Sequence, residues 1–283
     1  MRRPSLLLSL CLLCGLSASA QQRPLQTVEA ETLSPGTMRA QVGFDFLQDV
    51  TYPLSGLSGD QTSVGVIGIR LGVGKLVEVQ LEGTVRHFLD VKSQVAGPVP
   101  PQLSGVNSTS DAGDFSFFTK IRIIRETERR PALAFRFGYQ MPNSNQLRGI
   151  GTNTSNLFAS LILQKHFGRL NVFGNAGVAI LQSPNQVFSQ NDVLAYGLAF
   201  IYSAHQRVNV VGEVAGRYST RKLDPSLFGT ESRSQGRLGL QIFAGGFQWD
   251  FAGIAGLTKH SPKTGFTFGV SKDVRLFDYG AIK

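Results

Sequence analysis

The sequence predicts an all-β protein: a transmembrane antiparallel up-and-down β-barrel of about 12 strands, with short periplasmic turns and long extracellular loops. Three observations predict it. Apolar and polar residues alternate with period two in segments of about ten residues beyond residue 38, no helical period competes with them, and short and long connections alternate. The segment 77–89 shows the pattern. Val77, Val79, Leu81, Val85, His87 and Leu89 fall on one face of an extended chain, and Glu78, Gln80, Glu82, Thr84 and Arg86 on the other. Such a strand can set one face against hydrocarbon and the other against a polar interior.

The chain opens with Arg2 and Arg3 ahead of an apolar run, 6–13, and the small-residue site Ala18-Ser19-Ala20. This reads as a signal peptide, residues 1–20, cleaved after Ala20 during export to a bacterial outer membrane. The run is too short to span a bilayer, and no later stretch approaches the ~20 apolar residues of a membrane helix. Cys11 and Cys14 leave with it, which excludes disulfides, Cys-ligated metals and thiol catalysis in the mature chain. Residues 21–38 are expected as a short periplasmic segment, 39–277 as the barrel and 278–283 as a short tail.

The predicted strands are 39–50, 62–73, 76–89, 114–125, 132–141, 156–167, 170–181, 193–203, 207–218, 235–244, 247–258 and 265–276. Gly74-Lys75, Gly168-Arg169, Gly245-Gly246, residues 126–131 and residues 204–206 make the short turns. The even strand number brings both ends of the chain to the periplasmic side. A β-sandwich is the competing fold. Against it, the outward charges Arg125, Lys165 and Lys272 sit near the periplasmic strand ends, where long side chains snorkel. Aromatics also gather at two rims: Phe115, Phe117, Tyr139, Tyr218, Phe266 and Phe268 outside, and Phe167, Phe200, Tyr202, Phe247 and Trp249 on the periplasmic side.

The formal net charge is +9, or +7 once Arg2 and Arg3 are removed. The basic residues are dispersed, which argues against nucleic acid and for contact with outer-membrane lipid and lipopolysaccharide. Chemical motifs are absent. The run from Gly68 to Lys75 has the wrong spacing for a phosphate loop and joins two strands. His87, His166, His205 and His260 lack metal-ligand spacing, so no metal or cofactor is expected. Ser160 and His166 are the nearest approach to a hydrolytic pair, yet six residues of strand set them roughly 20 Å apart. The chain is therefore not expected to be an enzyme, a lipid-modifying barrel enzyme being the residual alternative.

The predicted lumen carries Arg70, Glu78, Glu82, Arg86, Lys120, Arg122, Arg136, Glu213, Arg217 and Arg237, with Asp45 and Asp250. These charges either brace neighbouring strands or bias a pore toward anions. Phe118, Phe158, Phe173 and Phe243 also point inward, as an apolar patch for an aromatic or lipid-like solute or as plain packing in a narrow barrel. The Pro-rich stretch 95–103 either folds inward as a constriction or stays on the surface.

Gly113-Asp114-Phe-Ser-Phe-Phe-Thr-Lys120, Pro131-Ala-Leu-Ala-Phe-Arg-Phe-Gly138 leading to Pro142, Gly149-Ile-Gly151-Thr152 and the strand end Lys165-His-Phe-Gly168 together carry a resemblance. Over about residues 110–280 the chain resembles the outer-membrane β-barrel family named for the MetA pathway of phenol degradation. The resemblance implies a barrel transporter and brings no catalytic or binding residue with it. One departure is the end of the chain. Outer-membrane barrels usually finish on an aromatic residue that the barrel-assembly machinery reads, whereas here Phe277 is followed by six more residues. The expected function is passive passage of small solutes, apolar, aromatic or anionic. The alternative is a structural or surface-binding barrel with a closed lumen.

Overall fold

The computed structural model describes residues 23–186, 189–222 and 224–278. The signal peptide and the last five residues of the expected tail lie outside them. Thirteen strands form among the described residues: β1 (Thr37–Tyr52), β2 (Leu57–Gly72), β3 (Val77–Gln94), β4 (Ser108–Asp111), β5 (Ser116–Ile124), β6 (Ala132–Gln140), β7 (Asn156–Phe167), β8 (Leu170–Gln182), β9 (Gln190–His205), β10 (Val208–Ser219), β11 (Arg233–Ala244), β12 (Phe247–Gly256) and β13 (Thr264–Arg275). Each long strand pairs antiparallel with its neighbours, and β1 closes on β13 from Thr37↔Arg275 to Gln48↔Thr264. The result is a closed antiparallel 12-strand β-barrel. β4 is an outrigger that pairs with β3 alone, over His87–Asp90.

The twelve wall strands coincide with the predicted ones, but the first connection does not. β1 and β2 run on past the apolar belt and leave residues 53–56 as the whole connection. Polar residues such as Thr51, Ser58, Asp60 and Gln61 lie outside the predicted strands, yet they continue the hydrogen-bonded ladders. At the opposite end the connections are turns. Gly245 and Gly246, at φ +63° and +75°, supply the left-handed pair that a two-residue hairpin needs.

Side chains that a water-soluble fold would bury stand outside. Val85, Leu161, Leu163, Leu198 and Leu238 are 52%, 52%, 53%, 63% and 65% exposed on the outer wall, a continuous apolar belt suited to hydrocarbon. Tyr139, Tyr218 and Phe266 lie outward at the loop end, and Phe167, Tyr202, Phe247 and Trp249 at the turn end. Phe268 sits lower than expected, stacked on Trp249 (6.2 Å) and tilted against Phe251 (4.9 Å) in the wall. Lys272 Nζ lies 4.6 Å above the Phe247 ring, and Lys165 Nζ donates to the Thr127 and Glu128 carbonyls in the turn below. Both lysines reach out of the belt, as expected of snorkelling cations.

One strand changes face. In β3 the inward positions are Glu78, Gln80, Glu82 and Thr84, and then His87 and Leu89. The switch falls opposite Gly65, whose φ of +65° breaks the alternation of β2 at the same level. A Cβ there would meet Val85 at 2.8 Å, so only glycine fits the bulge. Arg86 is consequently not a lumen residue. It is exposed and donates to Ser110 Oγ of β4 at 2.7 Å. His87 points inward in its place and contacts Ser63 and Gln61 through Nδ1 at 2.8 Å.

Candidate functional site

Residues 23–36 are not a free segment beside the barrel: they lie inside its lumen. Sequence reasoning placed them outside because they are polar and carry no strand period. In the structure the wall supplies what an extended backbone lacks when it is removed from water. Glu213 of β10 accepts from Gln26 N (2.7 Å), Thr27 N (2.8 Å) and Thr27 Oγ1 (2.7 Å). Gln164 of β7 accepts from Ala30 N (2.8 Å) and Glu31 N (3.1 Å), and Glu78 of β3 from Leu33 N (2.7 Å). At the near end Arg23 Nη2 donates to Asp45 and Thr267, both at 2.8 Å.

Apolar contacts fill the spaces between these bonds. Leu25 packs among Phe173, Ala199, Ile201 and Val211, and Val28 and Ala30 pack with Ala132, Ala134 and Ile162. Burying side chains of this size contributes about 1.5–3 kcal/mol apiece for the larger ones. The wall is also notched to admit the segment. A Cβ on Gly43 would stand 2.4 Å from the Arg23 guanidinium carbon, and one on Gly197 would stand 2.5 Å from Thr27 Oγ1.

The predicted lumen charges mostly hold this plug. Lys120 and Glu78 are wholly buried and 3.2 Å apart, and Lys120 Nζ also donates to the Glu29 and Glu31 carbonyls at 3.1 and 2.5 Å. Arg122 pairs with Glu31 and donates to the Lys75 carbonyl at 2.8 Å. Arg237 donates to the Pro24 carbonyl at 2.7 Å and lies 3.6 Å from Glu213. Arg70 is 1% exposed, and its guanidinium makes no hydrogen bond among the described residues. Asp250 is buried beside Arg23 of the plug, where Gln248 donates both to it and to the Arg23 carbonyl. Arg136 stands above the plug. It pairs with Glu82 at 2.6 Å, donates to Gln80 at 2.7 Å and lies 3.5 Å over the Phe118 ring.

The four inward phenylalanines do not form one patch. Phe118 and Phe158 meet with centroids 5.8 Å apart. Phe173 is the seat of Leu25, and Phe243 stands at the turn-end mouth beside Arg207 and Lys272. Ser160 and His166 are separated as well. Ser160 faces the lumen cavity, whereas His166 contacts Glu126 at 2.8 Å outside it.

Above the plug the outer loops close over the mouth. The wedge is residues 141–155, containing the short helix η1 (Gln146–Arg148), and not the Pro-rich stretch. Asp114 accepts from Asn143 N (2.9 Å) and Ser144 N (2.7 Å), and Asp111 from Asn145 N (2.6 Å). Burial pushes the Asp111 carboxyl above its ordinary value, against the pull of the Asn145 and Ala112 amides. Residues 95–103 lie across the first connection and η1, through Val99 N to the Leu54 carbonyl (3.0 Å) and Gln102 N to the Leu147 carbonyl (2.6 Å). They brace the cover and do not constrict the lumen.

Between plug and cover lies a cavity of about 590 Å³, with Gln26 and Thr27 in its floor and Phe118, Phe158, Arg136, Arg217, Arg233 and Arg237 in its walls. A second, of about 280 Å³ under the loops, shares His87, Arg217 and Arg233 with it. Arg233 and His87 escaped the sequence reading. Extending the period of β11 back by two residues would have found Arg233; His87 needed the bulge of a neighbouring strand.

The architecture is similar to the crystal structure of the COG4313 outer membrane channel from Pseudomonas putida F1, at 15% identity over 88% of this chain and 98% of that chain, with a TM-score of 0.63. The translocator domain of the autotransporter NalP from Neisseria meningitidis aligns at 12% identity over 86% of this chain and 89% of that one, with a TM-score of 0.47. No protein-family model matches the chain, and neither does any curated protein. The resemblance to the MetA-pathway family thus stays a resemblance, and the likeness to the first structure establishes the barrel fold.

Proposed function

We propose that the chain is an outer-membrane channel for passive passage of small solutes, closed in this state by its own residues 23–36. One observation carries the reading: the lumen is wide enough to house a complete extended chain segment. Twelve strands stand between barrels filled by side chains, at about eight, and open aqueous channels, at sixteen or more. Because Gln26 and Thr27 floor the 590 Å³ cavity, withdrawal of the plug opens that cavity toward the turn end. A solute there meets the rings of Phe118 and Phe158 and several arginines, which supports apolar or anionic cargo.

Planar-bilayer recording tests this. The mature chain is expected to show rare discrete openings, and a chain beginning at residue 37 frequent ones. Lys120→Met, which loosens the plug without shortening the chain, is expected to behave like the truncation. Silence from all three, with heat-modifiable folding intact, would favour a structural barrel.

A further inference from the structure

Arg217 of β10 and Arg233 of β11 are direct cross-strand partners, and both line both cavities. Like charges directly opposite each other on one face of a sheet repel. One carboxylate stands between them, Glu231, whose Oε2 lies 3.9 Å from Arg217 Nη2 and 3.6 Å from Arg233 Nη2, too far for a hydrogen bond to either. That oxygen is buried and makes no hydrogen bond among the described residues; Oε1 is taken by the Gly229 N–H.

The guanidiniums are only partly engaged elsewhere. Arg217 donates to the Glu231 and Gly229 carbonyls, and Arg233 Nη2 to the Thr51 carbonyl, while Arg233 Nε is buried without a partner. The other charged side chains of the larger cavity are matched: Arg136 by Glu82, Arg237 by Glu213 and Asp45 by Arg23. Two cations and one carboxylate leave a single net positive charge with unused donors, about 30% exposed at 28% and 31%. One charge calls for a monoanion, and a planar fork of donors suits a carboxylate. The same cavity also presents the Phe118–Phe158 ring pair to an apolar body.

We propose that Arg217 and Arg233 seat the carboxylate of a small monocarboxylate whose apolar body lies in the cavity above the plug. This names a solute class for the channel and rests on that reading for its purpose, but binding is measured without conduction. Equilibrium dialysis of the mature protein against labelled benzoate, at low salt and overnight so that cover and plug can open, is the test. Saturable binding is expected, weakened roughly tenfold or more in Arg233→Gln and in Arg217→Gln, as loss of a charge-assisted bond implies. Arg221→Gln, in an exposed loop and bonded among the described residues to the Gln190 carbonyl alone, is expected to bind as the parent does. Unlabelled benzamide and inorganic phosphate are expected to compete poorly. No saturable binding, binding in both arginine variants equal to the parent's, or effective competition by benzamide or phosphate would overturn the proposal. A failed channel shows itself separately, as bilayer silence with benzoate binding intact.

Discussion

Lys120 of β5 and Glu78 of β3 are cross-strand partners, and their charges meet 3.2 Å apart with neither side chain reached by solvent. Both also grip the backbone of the plug, the ammonium through two carbonyls and the carboxylate through the Leu33 N–H. One ion pair therefore ties the wall to the gate.

Removing one partner strands the other. Lys120→Met leaves Glu78 buried without its ion-pair partner, keeping the Gln80 and Leu33 bonds, a cost of up to about 3–5 kcal/mol that the barrel can relieve by releasing the plug and admitting water. A higher open probability in planar bilayers is the expected outcome, with unchanged heat-modifiable migration. An open probability equal to the parent's would show that the pair does not hold the gate.

Gly197→Val tests the notch. Its Cβ would press on Thr27 Oγ1, which stands 2.5 Å from where that atom falls, while the outward face of β9 is untouched. Hydrogen exchange is expected to speed up across residues 26–31, with wall amides protected as before. Unchanged exchange over 26–31 would mean that the wall accommodates the added volume.

The cover is held by two carboxylates. Asp114→Ala removes the acceptor of the Asn143 and Ser144 amides, bonds to a charged group contributing roughly 1.5–3 kcal/mol each. A thiol introduced by Ser144→Cys, on a residue now buried, is expected to react faster with a membrane-impermeant maleimide on whole cells. Equal rates with and without the Asp114 change would disconnect the carboxylate from loop closure. No labelling in either background would argue against an outer placement of this loop.

At the opposite end, Glu126 accepts from His166 N (2.9 Å), contacts His166 Nδ1 (2.8 Å) and pairs with Lys165 (3.2 Å). Burial raises its pKa, but the His166 and Lys165 bonds outweigh burial and hold the carboxyl below its ordinary 4.5. A depressed carboxyl contributes stability above the ordinary value and loses it as pH falls through the lowered one. A carbon-13 NMR titration of the Glu126 carboxyl should find its midpoint below 4.5, and Glu126→Gln should abolish the acid loosening of residues 125–131. A midpoint at or above the ordinary value would contradict this account.

The wall was legible in the sequence because its information is local. Whether a residue such as Leu161 or Gln164 faces out or in follows from its neighbours two positions away, and such alternation survives across twelve strands. The lumen was legible only in part. The period assigns Lys120, Arg136, Glu213 and Arg237 to the inner face, as it does Glu78 on the part of β3 before its change of face, and in the structure these side chains contact the plug or line the cavity above it. Arg86 and His87 were interchanged, since the bulge that turns β3 over belongs to Gly65 on the strand beside it.

The sequence by itself determined a closed β wall with an apolar outside and a charged inside, for the period of a strand is a property of a few consecutive residues. Only the tertiary structure decided that residues 23–36 fill the lumen. The bonds of Gln26 and Thr27 run to Glu213, those of Ala30 and Glu31 to Gln164, and that of Arg237 back to Pro24, far apart along the chain. The pairing of Arg217 with Arg233 was settled in the same way, by ladder register. A polar segment with no period of its own becomes a plug because barrel closure surrounds it with acceptors, small residues and a buried lysine, and nothing in its own residues announces that.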